Sequence, residues 1–190
     1  VYNQNKNDYA VNFAQLTKRD GSFLVARKKM PNFSYNDLKG TEILGGRKGG
    51  VPLMTFEYVL KEKGLTIGEN LKAGNVNVRT DVQFGVMAGA FAGGEGDFTT
   101  AFEPTATAME KEGSGYIVTS IGKDSGEIPF TAYSTTRSYM KNNKDLIQRF
   151  TNAVYKGQLW IQQASSKEVA KAMQPFFEDI SLEDLTTVVD

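Results

Sequence analysis

Ile43-Leu44-Gly45-Gly46-Arg47-Lys48-Gly49-Gly50-Val51-Pro52 is the stretch on which the reading of this chain turns. It passes from a short β-strand, Thr41 to Leu44, through a glycine-rich loop into a helix. Pro52 suits the first turn of that helix, and Gly64 ends it after Lys63. Leu53, Phe56 and Leu60, with Met54 and Tyr58, give the helix one broad apolar face. Glycine tolerates positive φ and lets backbone N–H groups approach a ligand closely. A helix start adds free N–H groups and the positive end of its dipole. Gly46, Arg47, Lys48, Gly49 and Gly50 are therefore candidate ligand-binding residues, suited to a phosphate, sulfonate, carboxylate or other electron-rich group. The run is neither a Walker motif nor a dinucleotide fingerprint, because no GK[ST] follows and the glycine spacing differs. A plain strand-to-helix corner without a ligand fits the same residues equally well.

The strand, glycine and helix pattern recurs on either side of this stretch. Upstream, Val11 to Thr17 alternates in the strand manner, Lys18-Arg19-Asp20-Gly21 is a turn, and Ser22 to Arg27 is a second strand. The two strands make a hairpin or a pair of crossovers. Ser34 caps a short helix over Tyr35-Asn36-Asp37-Leu38 that Gly40 closes. Downstream, Val76 to Val78 is a strand and Asp81 caps a helix through Phe91. Asp97 to Phe102 is a strand, Pro104 opens a helix that stops before Gly113, and Tyr116 to Ile121 and Ile128 to Thr135 are further strands. From Asp145 to Ala164 the residues Leu146, Phe150, Ala153, Gly157, Trp160 and Ala164 fall at steps of three and four. Ile147, Val154 and Ile161 lie beside them, which predicts a long, well-buried helix. Ser166 caps the next helix, and Ser181-Leu182-Glu183-Asp184 opens the last. Strands alternating with helices predict an α/β fold with a mostly parallel sheet flanked by helices.

In open α/β sheets, ligands bind at the carboxyl ends of strands. Thr99, Thr100, Phe102 and Glu103 occupy such an end. Glu103 has two readings: acceptor for an amine or ring N–H of a ligand, or complement to the helix that Pro104 opens. Tyr133, in a run rich in aromatic and hydroxyl residues, stacks on a planar ligand or belongs to the core.

Composition narrows the chemistry. The chain has 190 residues, of which 40% are hydrophobic and 23% charged, the ordinary range for a globular domain. Its 22 basic and 22 acidic residues cancel, so no global field steers it to nucleic acid. There is no cysteine and no histidine. That excludes disulfides, thiolate and imidazole metal sites, Cys nucleophiles and Ser-His-Asp catalysis. The composition points to binding, with no enzyme activity, no cofactor and no metal expected. No apolar run approaches the length of a membrane span, and the polar opening from Val1 has no signal-peptide core.

Several of these segments together resemble a family. Asp37-Leu38-Lys39-Gly40 with the Ile43–Gly50 run, then Gly96-Asp97-Phe98 and Phe102-Glu103-Pro104, then Asp145-Leu146-Ile147-Gln148-Arg149-Phe150-Thr151-Asn152-Ala153 with Gly157 and Trp160, look like the solute-binding proteins of ABC importers. The branch resembled is the one for sulfonates, nitrate, taurine and thiamine-pyrimidine precursors, and the likeness runs from about Val11 to Val189.

The resemblance implies a type-2 periplasmic-binding fold: two α/β lobes, a ligand cleft between them and hinge closure. It implies a small anionic or aromatic nitrogenous ligand, a membrane permease as partner, and an extracytoplasmic place, in the periplasm or lipid-anchored. The glycine loop would form one cleft wall, with Thr99, Thr100, Phe102 and Glu103 near the cleft or hinge. Val11–Leu16 and Ile128–Tyr133 would be crossovers. Family members are longer, so the chain is expected to hold the second lobe and part of the first. Residues 1–30 would be crossover strands and a remnant of the first lobe, 31–130 the second lobe, and 131–190 the return crossover and C-terminal helices. Apolar surface left bare by the shorter first lobe would favour self-association. The effector domain of a LysR-type regulator shares this two-lobed fold and is the alternative; an enzyme on the same fold ranks lower, since the related pyrimidine-synthesising enzymes need histidine and cysteine.

Overall fold

Alternating side chains make the first strand, β1 (Ala10–Thr17), after which the Lys18–Gly21 turn leads into β2 (Ser22–Ala26). The structure, a computed structural model, describes residues 7–190. Ser34 and Asp37 form a capping box on the 3-10 turn Tyr35–Leu38, and Gly40, at φ 74°, turns the chain into β3 (Glu42–Leu44). The glycine loop then feeds α1 (Val51–Glu62), which carries Pro52 in its first turn. β4 (Asn77–Arg79), α2 (Met87–Ala92), β5 (Phe98–Phe102), α3 (Thr105–Glu112), β6 (Tyr116–Ser120) and α4 (Ile121–Ser125) follow. The remainder is β7 (Thr131–Thr136), α5 (Arg137–Asn142), α6 (Lys144–Ile161), α7 (Ser166–Met173) and α8 (Leu182–Val189).

The chain divides into two units, one of Arg19–Ile128 and one joining the N-terminal segment through Lys18 to Pro129–Asp190. The larger unit holds a five-stranded sheet in the order β4-β3-β5-β2-β6. β3 runs parallel to β4 and β5, whereas β2 is antiparallel to both β5 and β6. Four strands therefore point one way and only β2 opposes them. This is the mostly parallel α/β sheet expected from the sequence. It also removes the hairpin reading, since β2 pairs with β5 and β6 and β1 pairs with β7.

Successive residues of a strand face opposite sides of the sheet, and the core follows that rule. Leu24 and Ile43 pack with Phe56, Val59 and Leu60 of α1 on one side. Val25 and Leu44 pack with Met87, Phe91 and Met109 on the other. In the smaller unit β1 and β7 form an antiparallel ribbon, with Ala10 opposite Thr136 and Thr17 opposite Thr131. α7 and α8 carry its buried apolar residues, Val169, Ala170 and Leu185.

Three local expectations are corrected. Asp81 caps no helix: both its oxygens accept from Arg79, at 3.0 and 2.7 Å, and the segment instead forms a 3-10 turn, Phe84–Val86, before α2. The last strand starts at Thr131, not Ile128. And α6 has the expected length but contains no buried residue. Its periodicity is real, yet an apolar stripe is buried only where another element meets it.

Candidate functional site

Gly45 continues β3 into the loop. Its N–H donates to the Arg79 carbonyl at 2.9 Å, which ties it to β4. A Cβ there would lie 2.4 Å from Val78 Cγ1 and 3.0 Å from Leu53 Cδ1, so only glycine fits between β4 and α1. Gly46 is buried at φ 88° and Gly49 is exposed at φ 74°, and both conformations favour glycine. A tight turn is closed by Gly50 N–H donating to the Arg47 carbonyl at 3.0 Å. Gly50 then serves as N-cap of α1 with no side chain to satisfy the helix amides. Among the described residues, no backbone acceptor meets the N–H groups of Gly46, Arg47, Lys48, Gly49 or Val51. Arg47, Lys48 and Gly49 are exposed. The result is a group of amides and two cationic side chains at the amino end of a 12-residue helix, on the carboxyl edge of the sheet. Chemically it is an acceptor-binding surface, strongest for an anion.

The other candidates sit around this edge in different ways. Thr99 and Thr100 are buried, and each hydroxyl donates to the Leu44 carbonyl at 3.5 Å. They brace β5 against β3 directly beneath the loop. Phe102 ends β5; its ring meets Phe84 edge-on at 5.7 Å, and a Cβ on Gly21 would stand 3.4 Å from it. Phe84 is 57% exposed, so an aromatic face borders the edge. Glu103 turns toward α3: its oxygens accept from Thr107 N–H at 3.0 Å and Thr107 Oγ1 at 2.9 Å. This is the helix-complement geometry. Gly46–Gly50, Thr99, Thr100, Phe102 and Glu103 thus belong to one unit and one end of its sheet. Tyr133 belongs to the other unit. It stacks on Phe13 at 6.3 Å and meets Phe150 edge-on at 4.8 Å, beside a cavity of about 310 Å³ also lined by Tyr139, Leu146 and Ile147.

Sequence reading missed Asp20. It was a turn residue there; in the structure it is buried at the same sheet end, with 5% exposure. Its Oδ1 accepts from Ser22 N–H at 2.7 Å and Ser22 Oγ at 2.5 Å, and its Oδ2 has no hydrogen-bond partner. Burial pushes its pKa above the usual carboxylate value, against the opposing pull of the Ser22 bonds. The Asp-x-Ser spacing of an Asx turn was the available signal for the Ser22 bonds; nothing in it announced burial. Arg79, at the end of β4, was also missed. It pairs with Glu42 at 3.0 Å, Asp81 at 2.7 Å and Glu95 at 2.9 Å, and these carboxylates hold its guanidinium charged.

A mostly one-way sheet between helices, with a glycine turn and a helix start on its carboxyl edge, defines the α/β class to which periplasmic binding proteins belong. The match to known proteins is specific. Residues 8–174 fit the description of the NMT1-like family, and the chain belongs to that family. It is 39% identical over 187 residues to "Putative binding protein YtlA" of Bacillus subtilis strain 168, covering 98% of this chain and 54% of that protein. Among solved structures it resembles the alkanesulfonate-binding protein SsuA of Xanthomonas axonopodis pv. citri bound to MOPS, with TM-score 0.69, 14% identity, 95% of this chain and 58% of that one. The periplasmic aliphatic sulphonate binding protein SsuA of Escherichia coli is similar at TM-score 0.67 and 16% identity, over 95% and 55% of the two chains. At these identities the structural likeness establishes a shared fold. The chain spans about half the length of the curated relative it matches. No helix among the described residues is long and apolar enough to cross a membrane.

Proposed function

We propose that this chain is the ligand-capturing part of a solute-binding protein that works outside the cytoplasm and passes a small molecule to an ABC permease. Its ligand is anionic or an aromatic nitrogen compound, such as a sulfonate, nitrate or a pyrimidine precursor of thiamine, and it performs no catalysis. The observation that carries this reading is the set of amides of Gly46, Arg47, Lys48, Gly49 and Val51 that meet no backbone acceptor at the amino end of α1, together with the side chains of Arg47 and Lys48. A built-in group of donors on the carboxyl edge of an α/β sheet is a capture surface for an electron-rich group. The aromatic pair Phe84 and Phe102 beside it suits an apolar or planar ligand body. Family membership and the fold shared with sulfonate-binding proteins support the same reading.

Thermal melting in the presence of alkanesulfonates, nitrate and aminopyrimidines tests it. A ligand at about a hundred times its Kd stabilises the folded state by roughly 2.7 kcal/mol. Arg47→Ala with Lys48→Ala should reduce that shift for the anions while leaving the unliganded melting point within about a degree, because both side chains are exposed. Absence of a shift with every class of compound, in the chain and in a full-length relative alike, would remove the reading.

A further inference from the structure

The glycine loop is bordered by apolar side chains that the fold leaves open. Leu44 of β3 lies opposite Thr99 of β5, and neighbouring strands stand about 4.8 Å apart. The loop that leaves β3 and Phe102 at the end of β5 therefore emerge side by side on one edge of the sheet. A second wall comes from the 3-10 turn Phe84–Val86. Val86 N–H donates to the Gln83 carbonyl at 3.0 Å, and Met87 N–H donates to the Phe84 carbonyl, which fixes the turn on the start of α2. Met87 is 2% exposed, and its Sδ lies 3.5 Å from where a Cβ on Gly46 would stand. The turn is thus pinned against the loop through Met87. Its outer side chains stay open all the same: Phe84 is 57% exposed and Val86 59%. Nothing lies within 4 Å of where a Cβ would stand on Gly85, so the crown of the turn faces open space. Phe84 meets the Phe102 ring edge-on at 5.7 Å. Val51 and Met54, three residues apart at the start of α1, are exposed as well. Single exposed apolar residues are ordinary; several beside one group of donors are not.

We infer that Phe84, seated on Phe102, is the residue that selects the ligand by its apolar body. The inference rests on the capture surface proposed above and narrows what that surface takes. Its ligand joins the electron-rich group to a hydrocarbon chain or a ring: the first meets the loop amides, the second lies on Phe84. A bare inorganic anion is strongly hydrated, and exposed amides with two exposed cations repay little of that hydration, so the donors alone hold it weakly. An apolar body adds a term that grows with the area removed from water, and the open ring offers that area without disturbing the core. The ring is also held in place. Backbone hydrogen bonds close the turn and Met87 ties it to Gly46, so little ordering is needed on binding. Nitrate, with nothing to lay on Phe84, falls in the weak class.

A chain-length series tests it. The 190-residue chain is titrated with methane-, ethane-, butane- and hexanesulfonate, and with nitrate and sulfate, by nuclear magnetic resonance so that weak binding is visible. Affinity should rise about two- to fourfold for each methylene added. Nitrate and sulfate should bind no more tightly than methanesulfonate. Phe84→Ala should flatten the series and leave methanesulfonate almost unchanged, whereas Phe84→Leu, which keeps apolar area, should retain most of the rise. A merely structural role would instead lower every member by the same factor. Phe84 is more than half exposed, so the melting points of both variants should stay close to the parent's, which separates loss of a contact from loss of the fold. The inference is overturned if nitrate binds as tightly as hexanesulfonate, or if the parent's affinity ignores chain length. It is overturned equally if Phe84→Ala keeps the slope or weakens all members alike. In each of these cases anions still bind, and the capture surface itself stands. If no member binds, the inference falls; the proposed function falls with it only when a full-length relative is equally silent.

Discussion

Gly45 and Gly49 sit four residues apart in the loop, yet glycine is required at each for a different reason. At Gly45 the obstacle is packing, since a methyl group would collide with Val78 Cγ1 at 2.4 Å and crowd Leu53. Valine cannot rotate that methyl aside cheaply, so Gly45→Ala should cost about 1–3 kcal/mol. At Gly49 there is open space but φ is 74°, and an alanine there pays only the left-handed backbone cost of about 1–2 kcal/mol. Urea denaturation of both variants checks this: equal and negligible losses would mean the turn is not built as described. Asp20 gives a pH prediction with a definite sign. Burial raises its pKa above 3.8, so the folded chain keeps the proton to higher pH than the unfolded chain does. Between the two values the folded state binds more protons, and stability falls as pH rises through that window. Above the folded-state pKa this contribution is constant. Asp20→Asn removes the titration and keeps an oxygen for the Ser22 donors. Melting points of both proteins from about pH 3 upward should therefore differ in slope in the acid window, with the parent gaining on the variant toward its acid end. Parallel curves would contradict the burial of this carboxyl.

Elements were legible in the sequence wherever the signal was local. Ser34 and Asp37, Gly40, Pro52 and Gly64 mark their turns and helix ends within a residue or so, because capping and positive φ depend on nearest neighbours. The candidate loop was legible for the same reason. What failed depended on partners distant in the chain. Asp81 looked like an N-cap, but Arg79 stands two residues away and draws it off, together with Glu42 and Glu95 from other parts of the fold. Asp20 gave no sign of burial, because α1 and α4 arrive from far along the sequence. α6 had the right period and the wrong environment. That contrast is measurable: Trp160, 45% exposed, should tolerate replacement by serine at a cost below about 0.5 kcal/mol, whereas Phe56→Ala, in a fully buried position of α1, should cost about 3–5 kcal/mol. Chemical denaturation of the two variants distinguishes an exposed helix position from one lying in a core. A large loss at Trp160 would show that α6 is covered after all.

At the scale of the molecule, the distribution of buried surface sets how the chain unfolds. A cooperative unit needs a core whose burial outweighs the chain entropy lost on folding, and one domain's balance is small at best. The larger unit has a five-stranded sheet with apolar side chains on both faces, including Phe56 and Phe91 at no exposure. Among the described residues the smaller unit has a two-stranded ribbon, a long helix with no buried residue and three buried apolar residues, and a lone two-stranded ribbon is marginal in water. The two units therefore should not open together. Native-state hydrogen exchange should find the slowest amides in β2, β3 and β5, at the global unfolding free energy, and the amides of β1, β7 and α6 at a distinctly lower one. In urea, fluorescence of Trp160, the single tryptophan, should change at lower denaturant than the far-ultraviolet circular dichroism of the whole chain. Coincident transitions, with equal exchange free energies in α6 and β5, would mean that the chain opens as one cooperative unit, and that the exposure of α6 is no measure of how firmly that helix is held.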